Sequence, residues 1–150
     1  HDFPEIDVVP GQMRQVFQNI VSNALKFTKP NMAPHITIRC ERISQCRIQS
    51  GTSKKGSFLR ITIKDNGIGF DEQYAQKIFT IFQRLHSRER YEGTGIGLAI
   101  TKKIIEKHNG LISAESKAGE GAAFIIVLPI EQSGSGPLNS NDFVEAEHLN

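Results

Sequence analysis

This chain of 150 residues has few cysteines, little excess of either charge and no long apolar run. Its two cysteines, Cys40 and Cys46, have no histidine cluster beside them, so neither a zinc site nor a disulfide framework is expected. Lys and Arg number 18 against 16 Asp and Glu, a net charge of +2, which provides no broad basic surface for nucleic acid. We therefore expect no nucleic-acid partner.

The scarcity of apolar runs also bears on location. No run is long enough to cross a bilayer, and the first residues lack the basic start and apolar core of a signal peptide. We therefore expect a cytoplasmic protein without direct membrane contact. With 38% hydrophobic and 23% charged residues, the chain is sized for one domain, expected over residues 1–131. Residues 132–150 are polar and rich in Ser, Gly and Asn, which predicts a flexible tail or linker.

The periodicity of apolar residues predicts a mixed α and β domain without repeating βαβ units. Spacings of three and four predict helices over residues 12–28 and 98–108, and a short helix should begin at Asp71. Alternating or continuous apolar residues predict strands over 36–40, 58–65, 111–116 and 123–130, the last apolar enough to be central. Residues 6–9 are also strand-like, and the polar turn at 50–56 predicts an antiparallel hairpin.

A glycine-rich segment precedes the second long helix. Gly93, Gly95 and Gly97 stand two apart directly before the apolar run, and Arg84 lies among the basic residues just upstream. Glycine lets the backbone approach an anion, and a helix start offers free N–H groups to it, so a phosphate-binding loop is favoured. The segment lacks the Lys-Ser/Thr of a P-loop and the last glycine of the dinucleotide fingerprint. A surface loop that caps a helix is the alternative.

The first helix carries a polar stripe of Asn19, Asn23 and Lys26, which a projection at 100° per residue places within about 60° of each other. Amide oxygens suit Mg²⁺, which accepts one or two protein ligands beside substrate phosphates, and a lysine would balance the remaining phosphate charge. A solvated helix face is the alternative.

Asp65 follows Leu59, Ile61 and Ile63 in the same strand register, so a carboxylate is directed toward the core. Burying it is costly unless its oxygens receive hydrogen bonds, and the amino group of adenine is a suitable donor. Gly67 and Gly69 follow in DNGIGF and would leave room for a flat base close to the backbone. A tight Asp-Asn-Gly turn with a solvated Asp65 is the alternative.

Five segments, read in order, resemble the N, G1, F, G2 and G3 boxes of the ATP-binding catalytic domain of sensor histidine kinases: QVFQNIVSNALKFT, DNGIGF, IFTIFQRLH, GTGIGLAI and GEGAAF. The match runs from about residue 3 to 130, and the whole resembles the GHKL ATPase superfamily. The sequence of the F and G2 boxes is especially similar to phytochrome-like and multi-sensor bacterial kinases. The resemblance implies an α/β (α+β) two-layer sandwich, in which a mixed, mostly antiparallel sheet of about five strands packs on three helices and ATP lies beneath a mobile lid.

The resemblance also implies roles for individual residues. Asn23 matches the Mg²⁺ ligand, and Asn19 matches the other asparagine near the metal and phosphates. Lys26 matches a phosphate contact and Arg84 a cation of the lid. The loop whose backbone amides wrap the phosphates is matched by Gly93, Gly95, Gly97 and Leu98. On the base side stand Phe27, the adenine-reading Asp65 and the glycines beneath the base, Gly67 and Gly69, while Phe79 and Phe82 match the F box.

The function implied is transfer of the γ-phosphoryl group of MgATP to a histidine on the dimerisation domain of the same protein, and from there to a response regulator. Asn19 stands where gyrase-like ATPases carry a water-activating glutamate, so hydrolysis should be slow. His1-Asp2 runs into Phe3-Pro4 and is interpreted as the end of an inter-domain linker, so the chain alone should bind ATP without phosphorylating itself.

One departure concerns the G3 box, where Ala122 and Ala123 stand before Phe124 and relatives often have Ser or Thr. The resemblance therefore does not predict a hydroxyl or water-mediated contact near the adenine for this chain. Two other functions stay as alternatives: an ATPase that drives conformational change, and a degenerate scaffold that docks partners without using ATP.

Overall fold

A computed structural model of the chain describes residues 4–47, 53–80 and 95–130. These residues form two α-helices and four strands: α1 (Pro10–Lys26), β1 (Ile36–Arg47), β2 (Ser53–Asp65), α2 (Gly97–Lys107), β3 (Leu111–Ser116) and β4 (Ala122–Pro129). Two 3₁₀ turns, Glu72–Tyr74 and Lys77–Phe79, lie between β2 and α2. The helices and the sheet make the two layers that the resemblance implies, so the predicted fold class is confirmed.

The sheet has the strand order β1-β2-β4-β3, and each of its pairings is antiparallel. β4 is central, as its apolar sequence predicts, and β1 and β2 form the predicted hairpin. The described part of the chain differs slightly from the predicted mixed, mostly antiparallel sheet of about five strands on three helices: it contains four strands, all antiparallel, and two α-helices. Residues 6–9 form no strand; Ile6 and Val8 instead pack against the core as the chain enters α1.

The core lies between the helices and one face of the sheet. Leu59, Ile61 and Ile63 of β2 are only 3%, 4% and 1% exposed, which confirms the face predicted from their alternation. From the helical layer, α1 contributes Val16 and Ile20, and α2 contributes Ile105, all fully buried. Burial at these positions orients α1 and α2 against the sheet.

Local signals explain where the helices begin and end. α1 begins at Pro10, whose missing N–H is not needed at a helix start. α2 ends where Asn109 adopts the left-handed conformation at φ 57° and the Gly110 N–H donates to the Ile105 carbonyl at 3.0 Å. The helix predicted at Asp71 is a 3₁₀ turn, capped by that carboxylate through the Gln73 N–H at 3.0 Å. None of the helices in the described ranges is long and apolar enough to span a membrane.

The predicted boundaries of the hairpin needed revision. β1 continues seven residues beyond the predicted end at Cys40, to Arg47, and β2 begins at Ser53, inside the predicted turn. An irregularity in register between Ile43 and Gln45 lets the pairing continue past the point where the apolar alternation ends.

Candidate functional site

A half-buried carboxylate ends β2. The Asp65 Oδ1 atom accepts hydrogen bonds from the Gly67 N–H at 2.8 Å and from the Ala122 N–H, on β4, at 3.3 Å. Burial raises the pKa of Asp65, and these two backbone hydrogen bonds only partly oppose the rise. The bond to Gly67 is that of an Asx turn, so the tight turn and the inward carboxylate occur together.

The second carboxylate oxygen is the one left for a ligand. Oδ1 holds both hydrogen bonds of the Asp65 side chain to described residues, and Oδ2 receives none from them. Every buried side-chain nitrogen or oxygen in the described ranges has a partner, so Oδ2 is not sealed in the core. The arrangement presents a fixed anionic acceptor at a partly desolvated position, which suits an exocyclic amino group.

The glycines after Asp65 are required by protein packing. A Cβ on Gly67 would collide with the Phe27 carbonyl at the end of α1. Gly69 has φ +61°, and a Cβ there would lie 2.7 Å from the Gly121 carbonyl oxygen and 2.9 Å from the Ser116 Oγ atom. Close approach of neighbouring protein atoms therefore requires glycine at both positions, and their place beneath a base stays a prediction.

The turn between β3 and β4 lies against Asp65 on the base side of the site, and it includes Ser116 and Gly121, to which no role was assigned from the sequence. The Ser116 Oγ donates to the Gly121 carbonyl at 2.6 Å and accepts from the Phe70 N–H at 2.8 Å. Gly121 has φ +86°, and a Cβ there would collide with the Asp65 carbonyl oxygen. The GEG sequence before β4 was the available signal for this close contact.

The structure also bears on the alanines of the GEGAAF segment. Ala122 reaches Asp65 through its backbone N–H, which any residue except proline provides. Ala123 pairs with Lys64 of β2. The side chains of Lys64 and Thr62 share the face of the sheet that is turned away from the helices, so Ala123 lies on that face too. A hydroxyl at position 123 would therefore point away from Asp65.

Asn66, between Asp65 and Gly67, is another residue without an assigned role. Its Oδ1 accepts from the His35 N–H at 2.8 Å, and its Nδ2 donates to the Ala33 carbonyl at 3.1 Å. The side chain fastens the loop that follows α1 to the turn that carries the carboxylate. The DNG sequence signals a turn but gives no indication of this partner.

Midway along α1, Asn19 contacts the first residue of α2. Its Nδ2 atom donates to the Gly97 carbonyl at 3.1 Å, and Gly95, just before α2, has φ +72°. Within the described residues no side chain caps the N-terminus of α2, so its first N–H groups are available to an anion. The structure thus brings the predicted Asn19 against Gly97 of the predicted glycine loop.

α1 connects the Asp65 turn to the start of α2. The Phe27 carbonyl accepts from the Ile68 N–H at 2.9 Å, which joins the end of α1 to the Asp65 turn. At 1.5 Å per residue, Asn19 and Phe27 are about 12 Å apart along the axis, with Asn23 midway. The Lys26 Nζ atom lies 5.0 Å from the centroid of the Phe27 ring.

The donor set fits Mg²⁺ in the form that accompanies phosphates. The Asn23 side chain makes no hydrogen bond to a described residue, and Asn19 keeps its Oδ1 atom free of such bonds. In the described ranges no three His, Cys, Asp or Glu residues group to hold a metal by themselves. One or two amide oxygens would therefore hold the ion, with phosphate oxygens and water as its other ligands.

The remaining predicted residues divide into two groups. Phe82, Arg84 and Gly93 lie outside the described residues. Phe79 is buried and packs edge-to-face on Phe124, with centroids 6.3 Å apart, and the half-buried Leu98 packs against the same core. Both therefore support the site through the core.

Comparison with known proteins places this geometry among its relatives. Residues 8–132 match the family described as "Histidine kinase-, DNA gyrase B-, and HSP90-like ATPase". The chain is 45% identical over 131 residues to Cyanobacterial phytochrome A of Nostoc sp., which covers 87% of this chain and 15% of that protein. The chain therefore spans about a seventh of that relative's length.

Two solved structures share the fold. The nucleotide-free catalytic domain of histidine kinase ThkA matches with a TM-score of 0.62 and 28% identity, over 85% of this chain and 72% of that chain. Full-length ShkA in complex with AMPPNP matches with a TM-score of 0.61 and 26% identity, over 85% of this chain and 23% of that chain.

Proposed function

Because the chain belongs to the histidine kinase-, DNA gyrase B- and HSP90-like ATPase family, we propose that it binds MgATP and donates the γ-phosphoryl group to a histidine on a separate dimerisation domain. The observation that carries the proposal is Asp65, whose Oδ1 is held by two backbone N–H groups while Oδ2 stays open to a ligand. An adenine amino group would donate to Oδ2, and the complex of ShkA with AMPPNP supports a nucleotide in this fold.

The positions of Phe27 and Asn19 along α1 give the nucleotide a direction. The adenine would lie at the Asp65 end beside Phe27, and the triphosphate would extend toward Asn19 and the N-terminus of α2. Free N–H groups at the start of α2 would offset phosphate charge. The proposed binding residues are those predicted from the sequence: Asn19, Asn23, Lys26, Phe27, Asp65, Gly67, Gly69, Arg84, Gly93, Gly95, Gly97 and Leu98.

Transfer to a protein acceptor is favoured over hydrolysis because Asn19 is neutral. Its amide nitrogen already donates to the Gly97 carbonyl, and an amide cannot take a proton from water at neutral pH. Bound Mg²⁺ would supply charge neutralisation and orientation of the phosphates, with Asn23 and Asn19 as its protein ligands. The residues of this chain would then position the γ-phosphate for attack by an imidazole that another domain provides.

The wider setting belongs to the same proposal. Since the chain spans 15% of Cyanobacterial phytochrome A, the phosphoacceptor domain, the downstream response regulator and a cytoplasmic location are inferred from the relationship. We further propose that residues 1–131 form the catalytic domain and that residues 132–150 are a C-terminal tail or linker.

The test combines the purified chain with γ-labelled ATP, Mg²⁺ and a separately produced dimerisation domain from the same protein. We expect label on the acceptor domain, none on the chain alone, and negligible release of free phosphate. Asn23→Ala should abolish labelling, while Gln18→Ala, on the exposed side of α1 and away from the Asn19 and Asn23 stripe, should leave it unchanged.

The rival functions give different results in this assay. Rapid phosphate release without an acceptor would favour an ATPase that drives conformational change. No binding of MgATP would favour a scaffold and would overturn the proposal.

A further inference from the structure

A buried threonine on α2 contacts the predicted metal ligand. Thr101 is fully buried, and its Oγ1 atom donates to the Gly97 carbonyl at 2.9 Å. The same Oγ1 accepts a hydrogen bond from the Asn19 Nδ2 at 3.2 Å. The hydroxyl therefore joins two positions of the candidate site that are far apart in the sequence.

These bonds determine which way round the Asn19 amide lies. Both hydrogens of its NH₂ group have acceptors on α2, the Gly97 carbonyl and the Thr101 hydroxyl. A reversed amide would place Asn19 Oδ1 against the Gly97 carbonyl oxygen, and the hydroxyl hydrogen of Thr101 is already committed to that carbonyl. The nitrogen is thus fixed toward α2 and the oxygen away from both acceptors.

The direction of the oxygen matters for a cation. The Asn19 Oδ1 atom lies 4.0 Å from the position that a Cβ on Gly97 would take, beside the first residue of α2. Amide oxygen binds Mg²⁺, whereas the NH₂ group has only hydrogens to offer and would repel it. An amide free to rotate would spend part of its time with the wrong atom facing the ion.

We propose that Thr101 is a positioning residue for metal-bound phosphate, because its buried hydroxyl holds the Asn19 amide with Oδ1 toward the Mg²⁺ of the bound nucleotide. The inference rests on the proposed function, since it assumes that MgATP binds between α1 and the start of α2. A bond from Thr101 to the preceding turn alone would be ordinary helix chemistry; the additional bond from Asn19 is what links the hydroxyl to the ligand site.

The experiment measures ATP affinity by calorimetry in excess Mg²⁺ and again in EDTA. Thr101→Val keeps the shape of the side chain and removes the hydroxyl, whereas Thr101→Ser keeps the hydroxyl. For Thr101→Val we expect the affinity in Mg²⁺ to fall about three- to tenfold, the equivalent of one hydrogen bond, and the affinity in EDTA to stay within twofold of wild type. Thr101→Ser should restore the Mg²⁺-dependent gain.

Two further variants serve as a safeguard and a control. If Thr101→Val does not fold, as judged by thermal melting, Thr101→Ala removes the same hydroxyl from a residue type that favours helix and should lose the same Mg²⁺-dependent gain. Thr62→Val removes a hydroxyl from the register of β2 that faces away from the helices and should leave both affinities unchanged.

The outcomes separate the two proposals. Equal losses in Mg²⁺ and in EDTA, or no loss at all, while the wild type binds MgATP, would overturn the role of Thr101 alone. The same holds if Thr101→Ser behaves like Thr101→Val. Failure of the wild type to bind ATP in either buffer would overturn the proposed function and, with it, the role of Thr101.

Discussion

Replacing Asp65 by asparagine should remove nucleotide recognition while leaving the fold intact. In Asp65→Asn, the side-chain oxygen can still accept from the Gly67 and Ala122 N–H groups, which now lie at 2.8 and 3.3 Å from Oδ1. The outer oxygen becomes an NH₂ group, which would meet the amino group of adenine as donor against donor. A hydrogen bond to a charged group contributes about 1.5–3 kcal/mol, so the Kd for MgATP should rise roughly 12- to 160-fold.

The thermal stability of the nucleotide-free Asp65→Asn variant should not fall along with its ATP affinity. Burial raises the pKa of Asp65, which means that the charged carboxylate is disfavoured in the empty domain. The neutral asparagine removes that cost, so we expect the midpoint of thermal unfolding without nucleotide to stay the same or rise.

Calorimetry with ATP and GTP, together with thermal melting, provides the assay. Guanine presents a carbonyl oxygen where adenine presents an amino group, so Asp65→Asn should also narrow the preference for ATP over GTP. An ATP affinity within threefold of wild type, with the preference unchanged, would refute the assignment of Asp65 to the base.

The other predictions concern the pH dependence of Asp65, the turn before β4 and the contact between His108 and Val9. Since Asp65 must be ionised to accept from adenine, ATP affinity should fall as pH falls through its raised pKa, and Asp65→Asn should flatten that dependence in a calorimetric pH series. For the nucleotide-free domain the pH dependence has the opposite sign. Because the pKa of Asp65 is raised in the folded state, the free energy of unfolding should increase as pH falls through that pKa, and urea unfolding at several pH values can measure the increase. Gly121→Ala should cost about 1–3 kcal/mol from its positive φ alone and more from collision with Asp65. Gly119→Ala is the matched control, because Gly119 has φ +82° but open space around it, so its variant should lose less stability and keep ATP affinity; equal losses would contradict the collision. His108→Leu removes the acceptor of the Val9 N–H at 3.0 Å and should lower the free energy of unfolding in urea by about 1–3 kcal/mol, and an unchanged value would contradict this.

The helices and strands could be predicted from the sequence because their signals are local. Apolar spacing located α1 and α2 to within about two residues, and the alternation ending at Asp65 identified the buried face of β2. Residues 6–9 have the composition of a strand but form none, and the side chains of Ile6 and Val8 pack on the core instead. Strand formation depends on a partner, which composition does not specify.

The candidate site was predicted as residue types and not as contacts. The asparagines, the carboxylate and the glycine loop were identified because amide oxygens, buried acids and paired glycines each have restricted chemistry. Thr101, Ser116 and Asn66 were missed because an isolated threonine, serine or asparagine has many ordinary uses. Each of them joins segments that the fold brings together, and no local pattern records the partner.

By itself, then, the sequence determined the elements of this protein, its inward carboxylate and the family resemblance that the comparisons confirm. Only the tertiary structure decided which atom of Asp65 is held and which is open, and which way the Asn19 amide faces. The partners lie 57 residues away for the Ala122 N–H and 78 for the Gly97 carbonyl. Hydrogen bonds over such separations depend on strand register and on how helices cross, and these are set by packing of the whole core.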